Sequence, residues 1–174
     1  MIIRQATVDD APAITEITNA IIRDTLVTFT TDERSVEKVT AEIETRGPVF
    51  LVAERDGMVE GFATYNLFRS GPGYAQCREH SIQLVPEARG EGTGRALMQA
   101  LEAIAKTNNV HVLVAGISSA NPAAVAFHSA IGFKQVGHMP EVGFKWGQRL
   151  DLVLMQKILA PQSSVAPDSR AKAR

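Results

Sequence analysis

The spacing of apolar residues changes period several times along the chain, and each change marks an element. Residues 2–6 alternate as a short strand. Thr7-Val8-Asp9-Asp10 has the form of a capping box, in which the first and fourth residues satisfy each other's backbone N–H groups. Ile14, Ile17 and Ile21 follow at helical spacing. The period lapses over residues 23–31, a β-branched and polar stretch that suits an exposed loop. Val36, Val39 and Ile43 line a second helix, which Gly47-Pro48 stops. Two β-rich runs, 49–54 and 59–65, flank Asp56-Gly57, a strong signal for a two-residue hairpin turn. Residues 66–76, with Gly71-Pro72-Gly73 inside them, read as a loop.

The second half alternates strands with helices. Residues 81–85 form a strand, and 95–107 a helix with Leu97, Ala100, Leu101 and Ile104 on one face. The apolar run 110–117 predicts a buried strand. Residues 118–122 then make a loop-to-helix junction, with Asn121 as cap and Pro122 at the first helical position. Ala124, Phe127 and Ile131 are the buried stripe of that helix, and Gly132 ends it. Residues 133–137 and 150–158 supply the last strands. The order βααβββαβαββ predicts one mixed α/β domain over residues 1–159. Residues 160–174 carry one large apolar side chain, Val165, and predict a disordered tail.

Composition narrows the function classes. The 174 residues are 45% apolar and 21% charged, which is enough for one ordinary core. A net charge of −1 offers no electrostatic ground for binding nucleic acid or a membrane surface. Cys77 is the single cysteine, which excludes an internal disulfide and a cysteine-based metal cluster. His111 and His138 stand alone and read as structural, so no metal is expected. No apolar run approaches 18 residues and the N-terminus has no hydrophobic leader, which predicts a cytoplasmic protein that spans no membrane.

The candidate chemistry lies between Glu79 and Arg95: a carboxylate, a short strand, a Pro86 break and a glycine-rich turn opening a helix. Gly90, Gly92 and Gly94 let backbone N–H groups face an anion, and the helix dipole points at the same spot. A P-loop requires Lys-[Ser/Thr] after the last glycine, where this chain has Arg95-Ala96. A dinucleotide fingerprint requires Gly-x-Gly-x-x-Gly, where this chain has Gly-x-Gly-x-Gly. An ordinary glycine-rich connection is the plain alternative.

With a strand before it, a helix after it and Asn121-Pro122 one crossover later, Arg89-x-x-Gly92-x-Gly94 resembles the acetyl-CoA signature of the GNAT superfamily of N-acetyltransferases. The resemblance implies the GNAT acyl-CoA N-acyltransferase fold, a mixed central sheet flanked by helices, with acetyl-CoA as co-substrate. It implies that Arg89 and the amides of Gly90, Glu91, Gly92, Thr93, Gly94 and Arg95 hold the pyrophosphate. Ile82, Gln83 and Leu84 would pair with the pantetheine arm like an added strand, and Asn121 would contact the same arm. A splay of this strand from its neighbour, ascribed to Pro86, would leave the backbone groups that such an arm satisfies.

Arg69…Gly73-Tyr74…Glu79-His80-Ser81, and later Gly143-Phe144-Lys145-Trp146-Gly147 with Leu150-Asp151, resemble the phosphinothricin and methionine sulfoximine (or sulfone) N-acetyltransferases within that superfamily. The chain departs from that group at Arg149, where Trp is usual, and around Arg69. The implied reaction is direct acetyl transfer to the α-amino group of a small amino-acid analogue. Glu79 would be the general base for a protonated amine. By strand alternation it shares a face with Ser81 and Gln83, opposite His80, Ile82 and Leu84. A backbone N–H of this strand, that of Leu84, would receive negative charge on the thioester oxygen. His128 stands where many members have a tyrosine, and reads equally as proton donor to the leaving thiolate or as a packed helix residue. Arg69 is the candidate for the substrate α-carboxylate, with Arg78 a competitor. Gly73, Tyr74 and Phe29 would line the substrate pocket. Lys145 and Trp146 would lie in a late loop at a homodimer interface. Cys77 lacks a neighbouring base and is a poor nucleophile candidate. Two other readings stay open: acetylation of another small amine or a protein amino group, and a non-catalytic acyl-CoA-binding module.

Overall fold

The computed structural model describes residues 1–159, so the tail expected at 160–174 lies outside the described residues. Seven strands and four helices run in the predicted order: β1 (Ile2–Gln5), α1 (Ala11–Asp24), α2 (Val36–Arg46), β2 (Phe50–Arg55), β3 (Met58–Leu67), β4 (Cys77–Leu84), α3 (Thr93–Thr107), β5 (Val112–Ser118), α4 (Pro122–Ala130), β6 (Lys134–Lys145) and β7 (Gln148–Ile158). One sheet takes them in the order β1-β2-β3-β4-β5-β7-β6. Only β4 and β5 pair in parallel, since a helix crossover separates them where hairpins join most others.

Both faces of the sheet are covered. On one, Ile14 and Ile17 of α1 and Val39 and Ile43 of α2 pack with Phe50, Val52 and Phe62. On the other, Leu97, Met98 and Leu101 of α3 pack with Leu51, Ala63, Leu113, Ala115 and Met155, and α4 adds Ala124, Val125, Phe127 and Ile131 at the margin. Each buried Leu, Ile or Phe contributes about 1.5–3 kcal/mol, so these two layers account for the strands that read as apolar runs. Thr7 and Asp10 form the capping box, and Asp10 also receives both terminal nitrogens of Arg4, at 2.7 and 2.8 Å.

Two strands are longer than their patterns suggest. β4 begins four residues earlier than expected, at Cys77, and carries Glu79 and His80 inside the sheet. β6 continues past Gly137 to Lys145, through a bulge between Met139 and Gly143. Glu141 stands in the bulge at φ +57°, its N–H donated to Asp151 Oδ1 at 2.9 Å. Pro140 and two glycines break the alternation there, which is why the extension is silent in the sequence. The expected late loop is therefore the end of a hairpin, turning on Trp146 (φ +49°) and Gly147 (φ +77°).

Candidate active site

The sheet forks at its centre. β4 and β5 pair only at Cys77–Val112, Arg78–Leu113 and Glu79–Val114, after which β5 goes on with β7 and β4 stays with β3. The divergence begins seven residues before Pro86, so that proline follows the fork and does not create it. Along β4, the Val85 N–H is donated to Glu60 O at 2.9 Å, and a Cβ on Gly61 would lie 2.6 Å from the Gln83 carbonyl oxygen. Gln83 therefore turns its backbone toward β3, and the alternating Ile82 and Leu84 turn theirs into the fork. The Gln83 side chain goes the other way, accepting from Thr18 Oγ1 on α1 at 2.8 Å.

At the wide end of the fork lies the glycine-rich turn. Gly90 and Gly92 both have φ +83°, a left-handed conformation that disfavours any side chain. Gly94 serves differently: a Cβ there would meet the Phe127 ring at 3.3 Å and Leu84 Cδ1 at 3.4 Å, so it is a packing position between β4, α3 and α4. Gly92 caps α3 without a side-chain acceptor, and the first intrahelical bond runs from Ala96 N to Gly92 O at 3.0 Å. The amides of Thr93, Gly94 and Arg95 consequently have no acceptor within the helix. The Thr93 hydroxyl is fully buried and also unpartnered. Arg89 and Arg95 are exposed on either side. This donor set fits a pyrophosphate. Asn121 caps α4 by accepting from Ala124 N at 3.1 Å, which leaves its amide NH₂ free.

Glu79 is the last β4 residue paired to β5, so it stands at the apex of the fork. It is half-buried, and burial alone raises its carboxyl above the ordinary range. Its Oε1 leans over β5 at Gly116, an exposed position in a strand otherwise largely buried. On the same β5 face, Ser118 Oγ donates to Leu26 O at 2.8 Å and so ties the 25–35 connection across that face. Phe29 of that connection stacks on Gly143 so closely that a Cβ there would lie 2.7 Å from the ring. Exposed Ser81 and Gly116 leave this face of the β4–β5 junction open beside the 25–35 connection, which touches Ser118 and Gly143.

His80 occupies the opposite face, as alternation predicts, and is sealed. Its Nε2 lies 3.0 Å from His128 Nε2, and His128 Nδ1 lies 2.7 Å from Ala124 O. A carbonyl only accepts, so His128 carries its proton on Nδ1 and its Nε2 is bare. His80 therefore supplies Nε2–H, and its Nδ1 is bare and unpartnered. Burial keeps both rings neutral, with pKa values below the ordinary imidazole value, and His128 further lowers His80. His128 has both nitrogens committed within the fold. Of its two sequence readings, the packed helix residue is the one observed.

The other expected residues spread out. Arg69, Gly73 and Tyr74 are exposed on the β3–β4 connection, where Tyr74 packs edge-on to Phe68 (6.3 Å) and Arg69 lies over the same ring (5.3 Å). Arg78 donates to the Cys77 carbonyl at 3.0 Å. Burial pushes the Cys77 thiol up, away from a reactive thiolate. His138, expected in a loop, is on β6 and bonds Asp151 Oδ2 at 2.8 Å. Lys145 is buried at 1% exposure, with Nζ donating to Ile22 O of α1 at 2.7 Å and lying 4.5 Å from the Trp146 ring centre. The sequence reading gave no site role to Gly116, Ser118 or Thr18, and took Gly143 only as part of the late segment. A glycine inside an apolar strand was the one signal that pointed to a close approach.

The sequence matches the acetyltransferase (GNAT) domain over residues 3–154. It is 37% identical over 172 residues to the L-methionine sulfoximine/L-methionine sulfone acetyltransferase of Salmonella typhimurium, covering 97% of this chain and 99% of that one. The fold superposes on a ribosomal-protein-alanine N-acetyltransferase from Brucella melitensis with a TM-score of 0.87 at 40% identity, covering 91% of this chain and 100% of the other. It also superposes on a phosphinothricin acetyltransferase from Sinorhizobium meliloti in complex with acetyl-CoA, with a TM-score of 0.85 at 32% identity, covering 97% and 96%. The forked sheet, the uncapped helix and these similarities agree: the chain belongs to the GNAT family of N-acetyltransferases.

Proposed function

We propose that this enzyme transfers the acetyl group of acetyl-CoA directly to the α-amino group of a small amino-acid analogue of the methionine sulfoximine, methionine sulfone or phosphinothricin class, with Glu79 as general base. The observation that carries the reading is Glu79 itself. A half-buried carboxyl with a raised pKa stands at the fork apex, beside the exposed Ser81 and Gly116. The near-full-length similarity to the Salmonella and Sinorhizobium enzymes supports the substrate class.

Acetyl-CoA, when bound, supplies the thioester carbonyl that the amine attacks. Arg89 and the amides of residues 90–95 would hold its pyrophosphate. Ile82 and Leu84 offer backbone groups to the pantetheine amides, with the Gln83 side chain held aside by Thr18. The free amide of Asn121 is available to the same arm. Glu79 takes one proton from the substrate ammonium, and the freed amine lone pair attacks the thioester carbon. The N–C bond forms as the C–S bond breaks, the second N–H proton passes to solvent, and the thiolate, whose pKa is near that of a free thiol, is protonated from solvent. Leu84 N–H, facing the fork, is the backbone donor available to negative charge on the carbonyl oxygen. Arg69, free of carboxylate partners among the described residues, would take the substrate α-carboxylate, with Gly73, Tyr74 and Phe29 lining the pocket.

The same reading includes a cytoplasmic homodimer. Val136, Met139, Val142 and Phe144 are exposed on β6, an edge strand, with Trp146 exposed in the turn that follows, and a second copy would cover them. Among the described residues no helix is long and apolar enough to cross a membrane.

Thiol release from acetyl-CoA, measured with methionine sulfoximine, methionine sulfone, phosphinothricin, unmodified amino acids and an alanine-terminated peptide, tests the substrate class. Higher kcat/KM for the analogues supports it. Preference for the peptide would replace it with protein N-terminal acetylation, the reading that the Brucella similarity favours. Glu79→Gln should keep acetyl-CoA binding and lower kcat by about 10²-fold. Turnover at the wild-type rate would remove Glu79 as base.

A further inference from the structure

We propose that Gly116 is a positioning residue for acetyl transfer: its bare Cα on β5 is the resting place that holds the Glu79 carboxylate at the apex of the fork. The inference rests on the reading of Glu79 as base and adds how that base is placed.

Gly116 has no conformational reason to be glycine. It lies in the middle of β5 with an ordinary strand φ, paired to Leu154 of β7. A glycine inside a strand normally weakens it, because it loses more freedom on folding and leaves nothing to pack. Space explains the residue. A Cβ here would lie 2.9 Å from Glu79 Oε1, with Leu152 Cδ1 next at 3.5 Å. The first distance is closer than real Cβ atoms tolerate, while the second is ordinary contact. What a methyl group displaces is thus the end of the Glu79 side chain and not the backbone.

Among the described residues nothing else fixes the carboxylate. Burial is the only cause of its raised pKa, and no hydrogen bond or ion pair opposes it. The nearest titratable neighbour with a resolved coupling is the Cys77 thiol, two residues back on the same β4 face. Gln83, farther along that face, is held by Thr18, and Ser118, beyond Gly116 on β5, is committed to Leu26. Glu79 is therefore placed by contact with bare backbone. A side chain at 116 would turn it out of the half-buried apex toward water, where it is a weaker base and misaligned with an amine at the fork.

The experiment compares Gly116→Ala, Glu79→Gln and the double variant with wild type. The expected result for Gly116→Ala is an unchanged or higher melting temperature, unchanged acetyl-CoA affinity and kcat lower by about tenfold. The acid limb of its kcat/KM profile should move to lower pH. In the Glu79→Gln background the same alanine should cost nothing further, because no carboxylate remains to be displaced. Three results would overturn the proposal: wild-type kcat and pH profile in Gly116→Ala while Glu79→Gln is impaired; an equal loss in both backgrounds, which marks a general distortion; or a lower melting temperature, which shows that the methyl strains the strand. Full activity in Glu79→Gln would overturn the assignment of the base, and this proposal with it.

Discussion

Glu79 and His80 are neighbours on one strand, and their fates differ because the strand has two unlike faces. Glu79 shares its face with the exposed Ser81 and Gly116. His80 looks into a closed cluster with His128 and Phe133. Desolvation is the leading influence on both, and it acts with opposite sign: the carboxyl pKa rises and the imidazole pKa falls. Both shifts favour the neutral form. Only the residue with access to a ligand can turn that shift into chemistry, so the fold separates the proposed base from a buried histidine one residue apart.

The sharpest way to break this contrast is to swap the damage. Glu79→Gln should lower kcat about 10²-fold yet leave the melting temperature equal or somewhat higher. A carboxyl with a raised folded pKa favours the fold only while protonated, so ionised Glu79 is a net cost near neutral pH that Gln removes. His128→Ala should do the reverse. It should lower stability by about 3 kcal/mol, through a cavity and an unpaired His80 N–H, and leave the kcat of folded enzyme near wild type. Denaturant melts and steady-state rates on the two variants decide the matter.

A pH series sharpens it further. His80 is pulled down to about 3 by burial and by His128, whereas an unfolded histidine titrates near 6.5. As pH falls through that window the unfolded chain binds a proton that the folded chain refuses. This single site therefore removes up to about 1.4 kcal/mol of stability per pH unit. Replacing both rings, His80→Phe with His128→Phe, should be near neutral at pH 7 and flatten the decline between pH 6 and 4. An unchanged slope would show that other groups govern acid unfolding.

Two smaller effects test the walls of the site. Gly92→Val places a β-branched residue at φ +83°, at a strain of about 1–2 kcal/mol, and should raise the KM for acetyl-CoA about tenfold with the amine KM unaffected. Lys145→Met keeps the buried stem but loses the contact to Ile22 O at the end of α1. It should shift stability by less than about 1 kcal/mol and raise the amine KM, because the 25–35 connection with Phe29 starts there. A change confined to the acetyl-CoA KM would detach Lys145 from the acceptor side.

Legibility followed how local each feature is. The Asp56-Gly57 turn, the Asn121-Pro122 cap and the Arg89–Arg95 turn are set by residues adjacent in the chain, and each appears where its pattern places it. Strand alternation also assigned Glu79 and His80 to their faces. What failed was long-range or disguised. The bulge in β6 hid the length of the last hairpin, and Pro86 took credit for a fork that opens at Glu79. Lys145 read as a loop residue but is buried against α1, more than 120 positions away in sequence.

By itself the sequence determined the family resemblance, the order of elements and the glycine-rich turn, because dihedral preference, capping and period act over a few residues. Only the tertiary structure decided which titratable groups are free to react. His128 loses its donor role to Ala124 and His80, and Glu79 gains its position from Gly116, 37 residues later on a parallel strand. Desolvation and close contact depend on what packs alongside, and no local pattern encodes that.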